Sequence, residues 1–285
     1  MTQTHLPTQT SRTAAFFDLD GTLIPGSANI PLAKAAFKAG FMGPRELAKD
    51  LRHGVSFLLK GATDERSAQV RDRILLAVKG RPAADVVALG DAFMPDLVDS
   101  LIPTMREVLD THGDRGEARI VLSASPTEIV SRFAHGVGME YGVGTTSERD
   151  SRGVYTGRLE GPFCYKEGKA DVMQAFSQEH GISLEDSYAY SDSASDLPML
   201  EAVGHPVAVN PEPELREIAA DRGWPIIETA RIPRVKLTSA AGLLRLARNA
   251  GATITKSALD AVTSLARTTR GFTSSVAFET GGSRE

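Results

Sequence analysis

A chain of 285 residues holds one large domain, or a core domain with an accessory one, and 41% apolar with 24% charged residues suits a soluble globular protein with a sizeable core. The net charge of −4 gives no reason to expect nucleic acid as the main partner. The single cysteine, Cys164, excludes an internal disulfide framework and fits a reducing cytoplasm.

Residues 1–13 are polar, rich in Thr and Gln, and lack the apolar core of a signal peptide, so they read as a disordered tail. No apolar stretch anywhere approaches the ~18 residues needed to cross a bilayer. Ala14-Ala15-Phe16-Phe17 is a short apolar run that stops at Asp18. Residues 27–100 follow with Leu32, Ala36, Leu47, Leu51, Val55, Leu58, Leu59, Ile74, Leu75, Val78, Val86, Val87 and Leu89, mostly three or four apart. Turn-like breaks at Gly40–Pro44, Gly61–Asp64 and Gly80–Pro82 divide them, which predicts a small helical bundle inserted after the first strand.

Three further apolar runs end in polar residues: Arg119–Leu122 before Ser123, Tyr188–Tyr190 before Ser191-Asp192, and Pro206–Val209 before Asn210. Pro225-Ile226-Ile227 is a weaker fifth. Continuous runs of this kind suit strands buried on both faces. Between them, Thr127–Phe133 and Ala170–His180 carry helical spacing, and Gly181 is a stop for the second. Strands alternating with helices predict an α/β fold, a Rossmann-like doubly wound parallel sheet, made of residues 14–26 and 101–230. Gly153–Leu159 reads as a hairpin or extended excursion from it. Gly136-Val137-Gly138 has the wrong spacing and context for a dinucleotide loop.

The chemistry-bearing residues fall at strand ends, where open α/β sheets bind ligands. Asp18 and Asp20, followed by Gly21-Thr22, can gather around one Mg²⁺, which takes hard oxygen ligands and keeps waters. Asp18 is then placed to attack phosphorus and form an aspartyl phosphate, and Asp20 to protonate the leaving alcohol and later deprotonate water. Ser123, with Ala124 after it, offers a hydroxyl and N–H groups to a phosphate. Lys169 offers a point charge, with Lys166 as a competing candidate. Asp192 is a candidate metal ligand, and Asp196 a residue that orients Lys169 or a metal-bound water from behind, with Thr22 in a similar supporting role.

In this order the residues resemble the haloacid dehalogenase superfamily: Asp18-Leu19-Asp20-Gly21-Thr22-Leu23 resembles its first motif, Ser123 its second, Lys169 its third, and Ser191-Asp192-Ser193-Ala194-Ser195-Asp196 its fourth. The inserted helices at 27–100 resemble the small all-α cap domain of its phosphoserine phosphatase-like branch. The resemblance implies a mobile cap, Mg²⁺ as cofactor and phosphatase activity, with Asp18 and Asp192 as side-chain ligands and Asp20 as a backbone carbonyl ligand. The expected substrate is a small phosphorylated metabolite, phosphoserine among the candidates. Gly21 stands where phosphoserine phosphatase has Ser, however, and Pro25–Asn29 carries no carboxylate for a substrate ammonium. A phosphotransferase using the same intermediate, and a phosphate-binding regulatory module with little turnover, are the alternatives.

Residues 231–270 hold eight basic residues and one acid, Asp260, a local surplus of +7 that leaves the remainder near −11. They read as a basic amphipathic helical segment able to associate weakly with an anionic membrane surface. Residues 271–285 read as a second disordered tail. The expected location is cytoplasmic.

Overall fold

The computed structural model describes residues 12–40, 71–72, 75–76 and 78–229. The chain divides after Ala230, and the basic segment 231–270 lies outside the described residues, as do Leu47–Leu59 and Ile74 of the expected helical bundle.

Six strands form one parallel sheet: β1 (Ala14–Asp18), β2 (Ala118–Pro126), β3 (Tyr141–Thr145), and, after a two-stranded excursion, β6 (Tyr188–Ser191), β7 (His205–Val209) and β8 (Ile226–Ile227). Their order is β3-β2-β1-β6-β7-β8, so the chain winds outward from β1 on one side and returns to its other side at β6. That is the doubly wound arrangement, and the reversal between β1 and β6 is its ligand-binding switch point. The excursion is the antiparallel pair β4 (Ser147–Arg149) and β5 (Tyr155–Leu159).

All five residues of β1 are buried, because the strand is central and covered on both faces. Period-two alternation then sorts neighbouring side chains into two cores. Ala15, Phe17, Val121, Tyr190, Val207 and Val209 share one cluster with Met105 and Leu109 and with Ile129, Val130 and Phe133. Those partners lie on α4 (Pro103–Asp114) and α5 (Thr127–Gly136). Ala14, Phe16, Ile120, Leu122, Ala189 and Ala208 face the other way, onto Met173, Met199, Leu200, Leu215 and Ala219. These belong to α6 (Glu167–His180), α7 (Leu197–Glu201) and α8 (Pro213–Arg222). Gly181 ends α6 at φ +65°, the left-handed conformation that glycine adopts without steric cost.

Between β1 and β2 the described residues form α1 (Asn29–Lys38), α2 (Ala83–Asp91) and α3 (Met94–Asp99). Phe93 and Leu97 are buried in the same cluster as Phe17 and Leu19, so the last part of this segment packs as core. None of the helices among the described residues is long and apolar enough to cross a membrane.

The excursion is bonded in two directions. Tyr155 donates its N–H to the Arg81 carbonyl (3.0 Å) and accepts from Gly80 N–H (2.8 Å), while Gly153 accepts from Ala83 N–H (2.9 Å). Its buried side chain donates from Oη to Glu128 Oε1 (2.6 Å), which also accepts from Arg149 Nη2 (2.5 Å). A hydroxyl bonded to a buried carboxylate is worth more than a neutral pair. Tyr155→Phe should therefore cost about 1.5–3 kcal/mol in denaturant unfolding. A change under about 0.5 kcal/mol would mean that Arg149 alone satisfies Glu128.

Candidate active site

Strand register sets the site. Asp18 pairs with Leu122, so Ser123 lies one residue past its level on β2; Phe17 pairs with Tyr190, so Asp192 lies just beyond the end of β6. Ser123 is therefore inside a strand rather than beyond its end, since β2 continues to Pro126. The register shift between Leu122 and Pro126 marks where regular pairing stops.

Lys169 is the hub. Its buried Nζ donates to Asp18 Oδ1 (2.7 Å) and to Asp196 Oδ2 (2.8 Å), and Asp196 Oδ2 also accepts from Ser191 Oγ (2.7 Å). Of the two candidate lysines, the structure brings Lys169 to Asp18; Lys166 precedes α6 at φ +52°. Gly168 allows the tight approach to this helix, for a Cβ there would meet the Phe163 carbonyl oxygen at 2.2 Å. Burial by itself would lower the Lys169 pKa, but the charges of Asp18 and Asp196 more than offset it and hold the ammonium above its usual range.

Asp20 turns away from this hub. Its Oδ1 accepts from Ala28 N–H (2.9 Å) and its Oδ2 from Ser27 Oγ (2.7 Å). Desolvation raises its pKa, and these two bonds oppose the rise. Gly21 lies against Asp192: at φ +88°, a Cβ on it would sit 2.0 Å from Asp192 Oδ2. Gly21→Ala would combine left-handed strain of about 1–3 kcal/mol with displacement of the Asp192 carboxylate. We expect it to fold less stably and to lose activity by a factor on the order of 10² or more. Near-normal turnover of the purified variant would show that Asp192 is not needed where it stands.

The electrostatics suit a cation. Asp18 and Asp196 bond the Lys169 ammonium, while Asp20 and Asp192 stand near Asp18 without bonding that ammonium. Burial pushes Asp18 up to about 7 against the pull of Lys169, with Asp196 and Asp20 adding to the rise. Desolvation first, then Asp18 and Asp196, puts Asp192 well above the usual carboxylate range. Among the described residues no three His, Cys, Asp or Glu side chains form a ready cage. Two carboxylates with a backbone carbonyl, completed by water and substrate oxygens, are the donor set that magnesium favours. Thr22 Oγ1 and Ser125 Oγ are both buried without a hydrogen-bond partner.

Ser123 Oγ accepts from Ser125 N–H (3.1 Å), which leaves its own proton for a ligand. Ala124, next to it, is partly exposed and lines a cavity of about 10 Å³ with Arg71, Leu75, Thr145 and Phe163. Cys164 is no rival nucleophile. Burial pushes its thiol up to about 12. One participant escaped the sequence reading: Glu212, whose carboxylate binds the Asp192 loop. No strand-end signal marks it.

The family model of haloacid dehalogenase-like hydrolases matches residues 15–201. Two proteins of Mycobacterium tuberculosis are similar. One is a probable phosphatase, 36% identical over 78% of this chain and 77% of its own. The other is a phosphoserine phosphatase, 34% identical over 75% and 70%. A crystal structure of a protein of unknown function from Bordetella pertussis superposes with a TM-score of 0.67 at 32% identity, covering 76% of this chain and 99% of that one. The family model matches well over half of the chain, and this chain belongs to the haloacid dehalogenase-like hydrolase family.

Proposed function

We propose that the protein is a phosphatase that hydrolyses a small phosphomonoester through an aspartyl phosphate on Asp18. The observation that carries this reading is the buried Asp18–Lys169–Asp196 array at the switch point, with Asp20 held apart on its own bonds. Asp18 is a nucleophile whose approach to a phosphate dianion is opposed by charge repulsion. The Lys169 ammonium, 2.7 Å from it, offsets that repulsion.

The Asp18 carboxylate attacks phosphorus and the ester oxygen departs, taking a proton from Asp20, whose raised pKa suits it to carry one. Ser123 Oγ and the backbone at Ala124 hold the phosphoryl oxygens. Asp20, now ionised, removes a proton from water; that water displaces Asp18 from phosphorus and inorganic phosphate leaves. Mg²⁺, held by Asp18, Asp192 and the Asp20 carbonyl, would supply charge neutralisation on the phosphoryl group. Asp196 keeps Lys169 aimed at Asp18, and Thr22 supports the turn.

The substrate is small. Arg71 borders the same narrow cavity as Ala124, with its guanidinium 5.9 Å from the Phe163 ring centroid and paired with Asp72 (2.7 Å); phosphoserine is among the candidate esters. The part of residues 27–100 that precedes the core-packed Phe93 and Leu97 acts as a cap that excludes bulk water during turnover. The buried lone cysteine supports a cytoplasmic location, and the basic segment 231–270 a weak attraction to anionic membranes.

The test is chemical trapping. Protein turning over a phosphate-ester panel with Mg²⁺ is quenched in acid and reduced with borohydride, which converts an acyl phosphate at Asp18 to homoserine. A homoserine at position 18 supports the mechanism. Phosphate release with Asp18 unmodified, or transfer to added alcohols in place of water, overturns it.

A further inference from the structure

Glu212 lies outside the four groups of site residues and outside the sheet, at the residue before α8. Its bonds converge on one short loop. Its N–H donates to the Asp192 carbonyl (2.9 Å), and its Oε1 accepts from Ser193 Oγ (3.0 Å) and from Ala194 N–H (2.8 Å). Ser193 Oγ in turn accepts from Ser195 N–H (3.2 Å), and Ser193 N–H donates back to Ser191 Oγ (3.2 Å). One residue therefore fixes the main chain at Asp192 and Ala194 and the side chain of Ser193 between them.

We propose that Glu212 is a positioning residue for the divalent cation: by clamping the Asp192–Ala194 loop it holds the Asp192 carboxylate over Gly21. The proposal rests on the reading of Asp192 as a metal ligand. The need for a clamp follows from the crowding. Asp192 Oδ2 sits where a Cβ on Gly21 would be 2.0 Å away, and Asp18, Asp196, Glu212 and Asp20 all repel it, so Glu212 holds the loop through its hydrogen bonds and against its own charge. A carboxylate on an untethered loop would swing toward water and recover rotamer freedom. With the loop bonded at three points, the ligand is already in place when the cation arrives. Residues that orient metal ligands in this way typically change affinity by about 10–100-fold when removed.

Charge and geometry are separable here. Glu212→Gln keeps an oxygen at the acceptor position and removes the charge. Glu212→Asp keeps the charge but withdraws the acceptor by one methylene, about 1.5 Å. Glu212→Ala removes both. The first readout is the Mg²⁺ concentration dependence of the thermal midpoint of the full chain without substrate; the second is the Mg²⁺ half-saturation of p-nitrophenyl phosphate hydrolysis.

We expect the Gln variant to stay within about threefold of the parent in both, and the Asp and Ala variants to need about 10–100-fold more Mg²⁺. If Asp behaves like the parent and Gln does not, Glu212 acts through its charge and the clamp is wrong. All three variants within twofold of the parent overturns it as well. Should Ala fail to fold, the Gln-against-Asp comparison still decides. Asp192→Asn is measured alongside, and an unchanged Mg²⁺ response there would overturn the metal assignment instead of the clamp.

Discussion

Asp18→Asn is expected to fold normally and to release phosphate at a rate lower by a factor on the order of 10⁴–10⁶. The amide keeps an oxygen to accept from Lys169 Nζ, the bond that measures 2.7 Å in the parent. It also removes a buried carboxylate whose ionisation is disfavoured by burial, Asp196 and Asp20. Stability should therefore hold or rise while the nucleophile is lost. Steady-state turnover and a denaturation curve on the same preparation check both halves. Full activity in the Asn variant would remove Asp18 from the chemistry altogether.

Lys169→Met should damage activity and stability together. The ammonium bridges two buried carboxylates at 2.7 and 2.8 Å, and methionine fills a similar volume without charge. Removing one partner of a buried ionic cluster typically costs about 3–5 kcal/mol, because the remaining charges are left unpaired. Loss of the charge that shields the attacked phosphate should lower kcat on the order of 10²–10³. The two effects separate in a double variant. Adding Asp196→Asn takes away one stranded anion, so unfolding free energy should partly return while turnover stays low. Recovery of turnover in the double variant would mean that Lys169 serves only to neutralise Asp196.

The site residues were legible where a hydrophobic run meets a polar stop. Asp18, Ser123 and Asp192 each follow such a run, although Asp18 is the buried last residue of β1 and Ser123 lies within β2. The parallel sheet follows from the same runs. Lys169 was legible only as one of two lysines, because what selects it is a contact across 151 residues. Asp20 illustrates a different limit. Spacing by two in an extended chain points its carboxylate alongside that of Asp18, yet the turn at Gly21 carries it to Ser27 and Ala28. Glu212, and the Glu128–Tyr155–Arg149 group, left no trace in periodicity, since one polar residue at a helix start or in a strand looks solvated until its partner is known. Helix α4 was equally quiet. Its buried Met105, Leu109 and His112 are spread among polar residues that dilute the stripe.

The position of β1 bears on how the protein comes into being. This strand is central in the sheet and lies near the start of the described residues, yet Ala14 N–H finds the Ser187 hydroxyl 173 residues later. During synthesis, Ala14–Phe17 emerges long before β6 exists, and one side of the strand stays unsatisfied until most of the chain has left the ribosome. Such long-range parallel pairing is slow and leaves apolar edges open to other chains. Refolding yields should therefore fall as protein concentration rises.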